Sequence, residues 1–253
     1  MNATAHPDPT TPPPDTAGLR RHWSAGRPRH GVWSLLPGAV TAELLARTGP
    51  DFVVLDLQHG AVGEAELPGT TAAIRAAGSV PLVRTRSAHF ADIGRPLDLG
   101  ACGVFVPNVL GADHVREVVA SCRYGPSGKR SIGRLAGGSE APLVLAVLET
   151  AAALDDLDAI LDVEGLDGIY VGPTDLALSL GRADEESRNH MREVVASVVD
   201  RAVAARMPVG VHTYDGATAA VYAGLGATVV TATVESTALA ETVRRQLAAA
   251  RAG

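Results

Sequence analysis

Phe52-Val53-Val54-Leu55-Asp56-Leu57-Gln58-His59-Gly60, then Glu64–Ala77, then Val80-Pro81-Leu82-Val83-Arg84-Thr85, is the stretch that decides the fold. A short β-branched apolar run ends in polar residues and a glycine. An Ala- and Thr-rich helical stretch follows, and a second apolar run closes the unit. Near-continuous apolar strands separated by helices indicate a parallel sheet covered on its outside. The unit repeats in both directions. Strands are expected at Gly31–Leu36, Phe52–Leu57, Val80–Thr85, Gly103–Asn108, Leu143–Leu148, Gly168–Val171, Pro208–His212 and Thr228–Thr233. Helices are expected at Ala39–Thr48, Glu64–Ala77, Ala91–Leu99, Ala112–Cys122, Ala151–Val163, Glu185–Arg206, Gly216–Gly224 and Thr237–Ala250. Eight such units in 253 residues favour a closed TIM-type (β/α)₈ barrel over an open sheet. Leu36-Pro37-Gly38-Ala39 after the first strand also lacks a dinucleotide-binding glycine pattern.

Outside this region, residues 1–18 are rich in Pro, Thr and Asp and read as a disordered tail, leaving 19–253 as a single barrel domain. The net charge of −6, with 22 Lys and Arg against 28 acids, argues against nucleic acid or an anionic membrane as a partner. No run approaches the roughly 18 apolar residues of a membrane span, and no secretory signal layout opens the chain. Two cysteines are too few for a disulfide framework, so a cytoplasmic location is expected.

In such barrels the reactive groups gather at the C-terminal ends of the strands. Those ends carry Asp56 and His59, Arg84, Asn108, Glu149, the turn Gly172-Pro173-Thr174-Asp175, and His212. Glu149 and Asp175 end neighbouring strands. They either grip one oxygen-liganded divalent ion or cap the helices that follow them. His59 is a candidate base with Asp56 orienting its ring, or else an ordinary loop histidine. Arg84 either holds a developing oxyanion or forms a structural salt bridge, and Arg86 competes with it for the first role. Gly172-Pro173-Thr174 offers a turn where backbone N–H groups bind a carboxylate. Asn108, His212 and Thr233 either line the pocket or satisfy local backbone groups. The one lysine, Lys129, lies in a glycine-rich loop, which argues against a Schiff-base mechanism.

These residues resemble the HpcH/HpaI aldolase family, the metal-dependent class II pyruvate aldolases. The landmarks are Gly31-Val32-Trp33, Leu55-Asp56-Leu57-Gln58-His59-Gly60, Leu97-Asp98-Leu99-Gly100, Leu148-Glu149-Thr150 and Gly172-Pro173-Thr174-Asp175-Leu176. The resemblance implies a barrel of the phosphoenolpyruvate/pyruvate-binding type. It implies that Glu149 and Asp175 bind Mg²⁺, Mn²⁺ or Co²⁺, that His59 with Asp56 is the acid/base, and that Arg84 polarises a keto oxygen. It also implies a homo-oligomer, trimer or hexamer, in which Asp98 helps from a neighbouring subunit. The implied reaction joins or cleaves a 2-oxo acid and an aldehyde. The alternatives are oxaloacetate decarboxylation, acyl-CoA cleavage, or a non-catalytic metal- and keto-acid-binding barrel. Departures from the family pattern are Val147, Gln58, Thr233, Glu235 and a short 133–143 segment.

Overall fold

A computed structural model describes residues 15–133, 141–182, 184 and 187–252. Eight parallel strands close in sequence order: β1 (Arg29–Ser34), β2 (Phe52–Asp56), β3 (Val80–Arg84), β4 (Gly103–Val106), β5 (Leu143–Leu148), β6 (Gly168–Val171), β7 (Val209–Val211) and β8 (Val229–Val234). Preceding them is α1 (Thr16–Ser24). Between and after them run α2 (Ala39–Ala46), α3 (Leu67–Ala76), α4 (Phe90–Asp98), α5 (Ala112–Cys122), α6 (Ala151–Asp155), α7 (Leu157–Leu161), α8 (Pro173–Ser179), α9 (Arg188–Ala204), α10 (Gly216–Gly224) and α11 (Glu235–Arg251). The expected barrel is present. The helix expected over Ala151–Val163 breaks into two at Asp156, and the expected turn at Pro173 opens a short helix.

The boundary expected at residue 18 falls inside α1. Asp15 caps that helix through the Gly18 N–H, while residues 1–14 lie outside the described residues. Leu19 and Trp23, four apart on one face, are almost wholly buried, and Trp23 meets Phe52 edge-to-face at 5.7 Å. Arg20 ties the helix to Asp167 at 2.6 Å. Because Trp23 reaches the start of β2, α1 closes the N-terminal end of the cylinder.

Every strand residue from Phe52 to Asp56 and from Leu143 to Leu148 is buried, which hides the two-residue period of the pleat. Packing restores it. Phe52, Val54, Val80, Leu82, Phe105, Leu143, Leu145, Val147, Tyr170 and Val229 fill the lumen. Val53, Leu55, Val83, Val104, Val106, Val144, Ala146, Leu148, Ile169 and Val171 pack against the helices. Continuing the lumen parity along each strand places Asp56, Arg84, Glu149, Gly172, His212 and Thr231 in the uppermost inward layer. Side-chain alternation alone therefore gathers a polar ring at the C-terminal mouth.

The seam between β1 and β8 is held by Glu235. Its Oε1 accepts from Ser34 Oγ at 3.1 Å and from the Leu35 N–H at 2.6 Å, and it also binds the Leu36 N–H. Glu235 thus braces the loop after β1. The unusual 133–143 segment mostly lies outside the described residues. Among the described residues, no helix is long and apolar enough to cross a membrane.

Candidate active site

A cavity of about 250 Å³ opens at the C-terminal mouth, lined among others by Trp33, His59, Arg84, Glu149, Asp175 and His212. Strands place most of these groups, so their positions are as rigid as the barrel. His59 and Asp175 come from the segments that follow β2 and β6.

Asp56 is fully buried and tightly engaged. It accepts from Arg84 Nε at 3.0 Å and also binds Arg84 Nη2, and it accepts from Trp33 Nε1 at 3.0 Å. The N–H groups of Gln58 and His59 reach its Oδ1 at 2.9 and 3.1 Å. Burial pushes this carboxyl up, but the hydrogen bonds and charge of Arg84 outweigh it, with Trp33 and the His59 N–H adding to them. The net result is a pKa below the ordinary carboxylate value. The orienting role expected for Asp56 is therefore corrected. Among the described residues it touches His59 only through that residue's backbone and holds Arg84 instead. The reason is register, since Asp56 and Arg84 are direct cross-strand partners. Gly60 makes the tight turn possible, because a Cβ there would sit 2.3 Å from the Asp56 carbonyl oxygen.

Arg84 spends Nε and Nη2 on Asp56, and its guanidinium lies 5.2 Å from the Trp33 ring centre. Nη1 carries no hydrogen bond among the described residues. Both roles considered for Arg84 are thus compatible: a salt bridge fixes the plane, and one edge faces the cavity. Arg86 is instead paired with Glu64 at 2.9 Å.

Glu149 is buried, and its Oε1 accepts the Asn108 N–H at 2.8 Å. It does not cap α6; Thr150 does, accepting from the Ala153 N–H. Asp175 lies in the first turn of α8 and is exposed. Burial raises the Glu149 carboxyl above its ordinary value; the Asn108 N–H opposes that rise, and the negative charge of Asp175 adds to it. Two carboxylates thus press on each other across one cavity.

The residues fit a hard divalent cation by three observations. The donors are carboxylate oxygens. The charge of Asp175 raises the cost of ionising Glu149, which a cation relieves. The third is the glycine between them in the cavity lining: a Cβ on Gly172 would lie 2.9 Å from Glu149 Oε2, so glycine leaves that oxygen its place. Among the described residues, no group of three or more His, Cys, Asp and Glu is placed to hold a metal. Remaining ligands would come from substrate and water. Gly172→Ala is expected to weaken Mn²⁺ binding by roughly 10- to 100-fold, the usual cost of disturbing a ligand's support. Its φ of −99° strains no other residue type, so the thermal melt should barely move. Titration of Mn²⁺ checks the first part and a thermal melt of the metal-free protein the second.

Two other expectations change. Asn108 does not line the cavity; the chain leaves β4 with Val104 and Val106 facing the helices, so the same parity turns Asn108 outward. Its contribution is the backbone N–H given to Glu149, presented from a positive φ of 56° that asparagine tolerates. Asp98 ends α4 at the opposite, N-terminal end of the barrel and is bound to Arg130 at 2.7 Å. Within one chain it cannot reach the mouth. Lys129 binds Glu117 on the outer surface.

Trp33, Tyr170 and Tyr214 line the cavity without having been singled out as site residues. The signal for the first two is parity: each is the inward residue of its strand, one pleat below or beside the polar layer. Thr233 is not among the residues lining the cavity, and its hydroxyl donates to the Tyr214 carbonyl at 3.0 Å.

A closed parallel barrel whose C-terminal mouth gathers two carboxylates, an arginine and an imidazole defines an enzyme of the (β/α)₈ class. The chain belongs to the HpcH/HpaI aldolase/citrate lyase family, whose model matches residues 29–241. It is 36% identical over 247 residues to a hydroxypyruvate/pyruvate aldolase of Rhizorhabdus wittichii, covering 92% of this chain and 98% of that one. It is 33% identical over 230 residues to a 4-hydroxy-2-oxo-heptane-1,7-dioate aldolase of Salmonella dublin, covering 85% and 88%. Its fold matches an HpcH/HpaI aldolase/citrate lyase family protein of Burkholderia cenocepacia J2315 with a TM-score of 0.86 at 26% identity, covering 92% and 98%.

Proposed function

We propose that this protein is a class II aldolase that joins or cleaves a 2-oxo acid and an aldehyde, with Glu149 and Asp175 as cation ligands. The observation that carries the reading is the convergence of both acids, Arg84 and His59 on one cavity. A divalent cation such as Mg²⁺, Mn²⁺ or Co²⁺ held there supplies Lewis acidity to the 2-oxo acid, worth several kcal/mol of barrier. Arg84, its plane fixed by Asp56, offers Nη1 to the keto oxygen and stabilises the negative charge that develops on it. The N–H groups at the start of α8, beside Gly172, Pro173 and Thr174, receive the substrate carboxylate. In cleavage His59, directly or through water, takes the proton of the 4-hydroxyl. The C3–C4 bond breaks, the aldehyde leaves, and the electron pair passes from C3 toward the keto oxygen. His59 then returns a proton to C3, giving pyruvate when C3 carries no substituent.

Both donors in the Rhizorhabdus relative's name, pyruvate and hydroxypyruvate, suit this cavity. We place the protein in the cytoplasm, in keeping with its two free, buried cysteines. An apolar stripe on the outer face of α11, Leu239, Val243 and Leu247 at 56, 47 and 48% exposure, supports assembly with further copies as a trimer or hexamer. In that assembly Asp98 would serve a neighbour's mouth.

The reading is tested with chelator-treated protein, Asp175→Ala and His59→Ala, assayed for aldehyde release from 4-hydroxy-2-oxo acids. Treated protein and Asp175→Ala should be inactive, and restored Mn²⁺ should rescue only the wild type. His59→Ala should lose at least about 100-fold in cleavage while retaining part of the exchange of pyruvate methyl protons. Full activity after metal removal would end the proposal.

A further inference from the structure

His212 lines the same cavity as the two acids, and its surroundings differ from theirs. The ring meets Trp33 at 4.9 Å and Tyr214 at 5.1 Å, both edge-to-face. Its Nδ1 lies 3.3 Å from the Tyr170 hydroxyl, which lies 2.6 Å from Thr231 Oγ1. Tyr170 and Thr231 are fully buried. This hydroxyl pair anchors one edge of the imidazole and, through the direction of its hydrogen bonds, sets the tautomer. Nε2 has no described partner and is not walled in by protein, while the ring lines the cavity. The neighbouring side chains on this side of the cavity, Trp33, Tyr170 and Tyr214, are aromatic; the Trp33 N–H is taken by Asp56 and the Tyr170 hydroxyl by Thr231, so Nε2 and the Tyr214 hydroxyl are the polar atoms left open there among the described residues.

Burial holds the His212 pKa down to about 4, and the positive charge of Arg84 lowers it further than the charge of Asp56 can offset. At neutral pH the ring is uncharged. An uncharged ring does not attract a second carboxylate by charge. It can donate to or accept from a hydroxyl, whichever tautomer the Tyr170–Thr231 pair imposes.

In the aldolase reading, a 2-oxo acid held by its carboxylate and keto oxygens beside Glu149, Asp175 and Arg84 would leave C3 to the rest of the lining, which includes Trp33, His212 and Tyr214. We propose that His212 selects donors bearing a hydroxyl on C3, so that the cavity favours 3-hydroxy-2-oxo acids such as hydroxypyruvate over pyruvate. This rests on the aldolase reading for the orientation of the donor. A methyl group leaves Nε2 desolvated and unpaired, whereas a hydroxyl satisfies it.

The test compares hydroxypyruvate and pyruvate binding to the Mn²⁺-loaded full chain by titration calorimetry, alongside turnover of each with an aldehyde. The wild type should bind hydroxypyruvate more tightly, and His212→Leu should lower the ratio of the two affinities about tenfold, the worth of one hydrogen bond. His212→Gln, which keeps a polar group at the same reach, should recover part of the ratio. Tyr170→Phe, which removes only the anchoring hydroxyl, should lower it by a smaller factor and serves if the leucine variant does not fold. A wild type with no preference, or a ratio unmoved in His212→Leu and Tyr170→Phe, overturns the proposal. Failure of the aldolase reading looks different: the binding ratio responds to the variants, but no carbon–carbon bond is made or broken with either donor.

Discussion

Arg84→Met should lower stability by about 3–5 kcal/mol, because it strands a fully buried carboxylate that has lost its cation. For a chain of this size the melting temperature should fall by roughly 6–20 °C. Asp56 would keep Trp33 Nε1 and two backbone N–H groups, which cannot replace a guanidinium bound at two points. Turnover should disappear with the oxyanion contact. The double variant Arg84→Met/Asp56→Asn separates the two losses: the melt should recover substantially while activity stays absent. The acid limb should change as well. The Asp56 pKa is depressed in the fold, so its stabilisation is present above the unfolded value of 3.8 and is lost as pH falls through the folded value. Arg84→Met removes that acid dependence. Thermal melts from pH 3 to 7 decide the matter, and a variant melting like the wild type would disprove the assignment.

Glu149→Gln should act in the opposite direction on stability and still be inactive. The Glu149 pKa is raised in the fold, so its carboxyl favours the native state only while protonated. That contribution is present below the unfolded value of 4.5 and is lost as pH rises through the folded value. At neutral pH the metal-free wild type therefore carries an unfavourable buried charge next to Asp175. The amide removes it and should melt higher. Mn²⁺ at 100 times its dissociation constant stabilises the wild type by about 2.7 kcal/mol. The variant should gain almost nothing, and its turnover should fall on the order of a thousandfold. Such a group sacrifices stability for binding, as active-site residues commonly do. Equal stabilisation of both proteins by Mn²⁺ would remove Glu149 from the ligand set.

The barrel was legible because strand and helix signals alternate throughout the described chain. The polar mouth was legible because Asp56, Arg84 and Glu149 interrupt runs that are otherwise apolar. What escaped the sequence has physical reasons. Strands buried on both faces blur their own period, so the place of Tyr170 in the lining follows only from the lumen parity, and Trp33, quoted only within a motif, was given no site role. The partner of Asp56 depends on a register between two strands, which no local pattern encodes. Asn108 stood at a strand end like Glu149 but had the opposite parity. Asp98 sat in a recognisable motif, yet a helix carries it to the far end of the molecule. In α1 the pair Leu19 and Trp23 behind the Asp15 cap was readable, but the proline-rich composition before it drew the boundary too late.

Glu235 joins the start of the chain to its end, since the loop after β1 hangs from a carboxylate at the beginning of α11. During synthesis the ring of staves stays open until β8 has emerged, and the rim beside Trp33 stays unfastened until Glu235 leaves the ribosome. The lumen tiers cannot close before β8 supplies Val229, and the working mouth is fastened only once Glu235 has followed it.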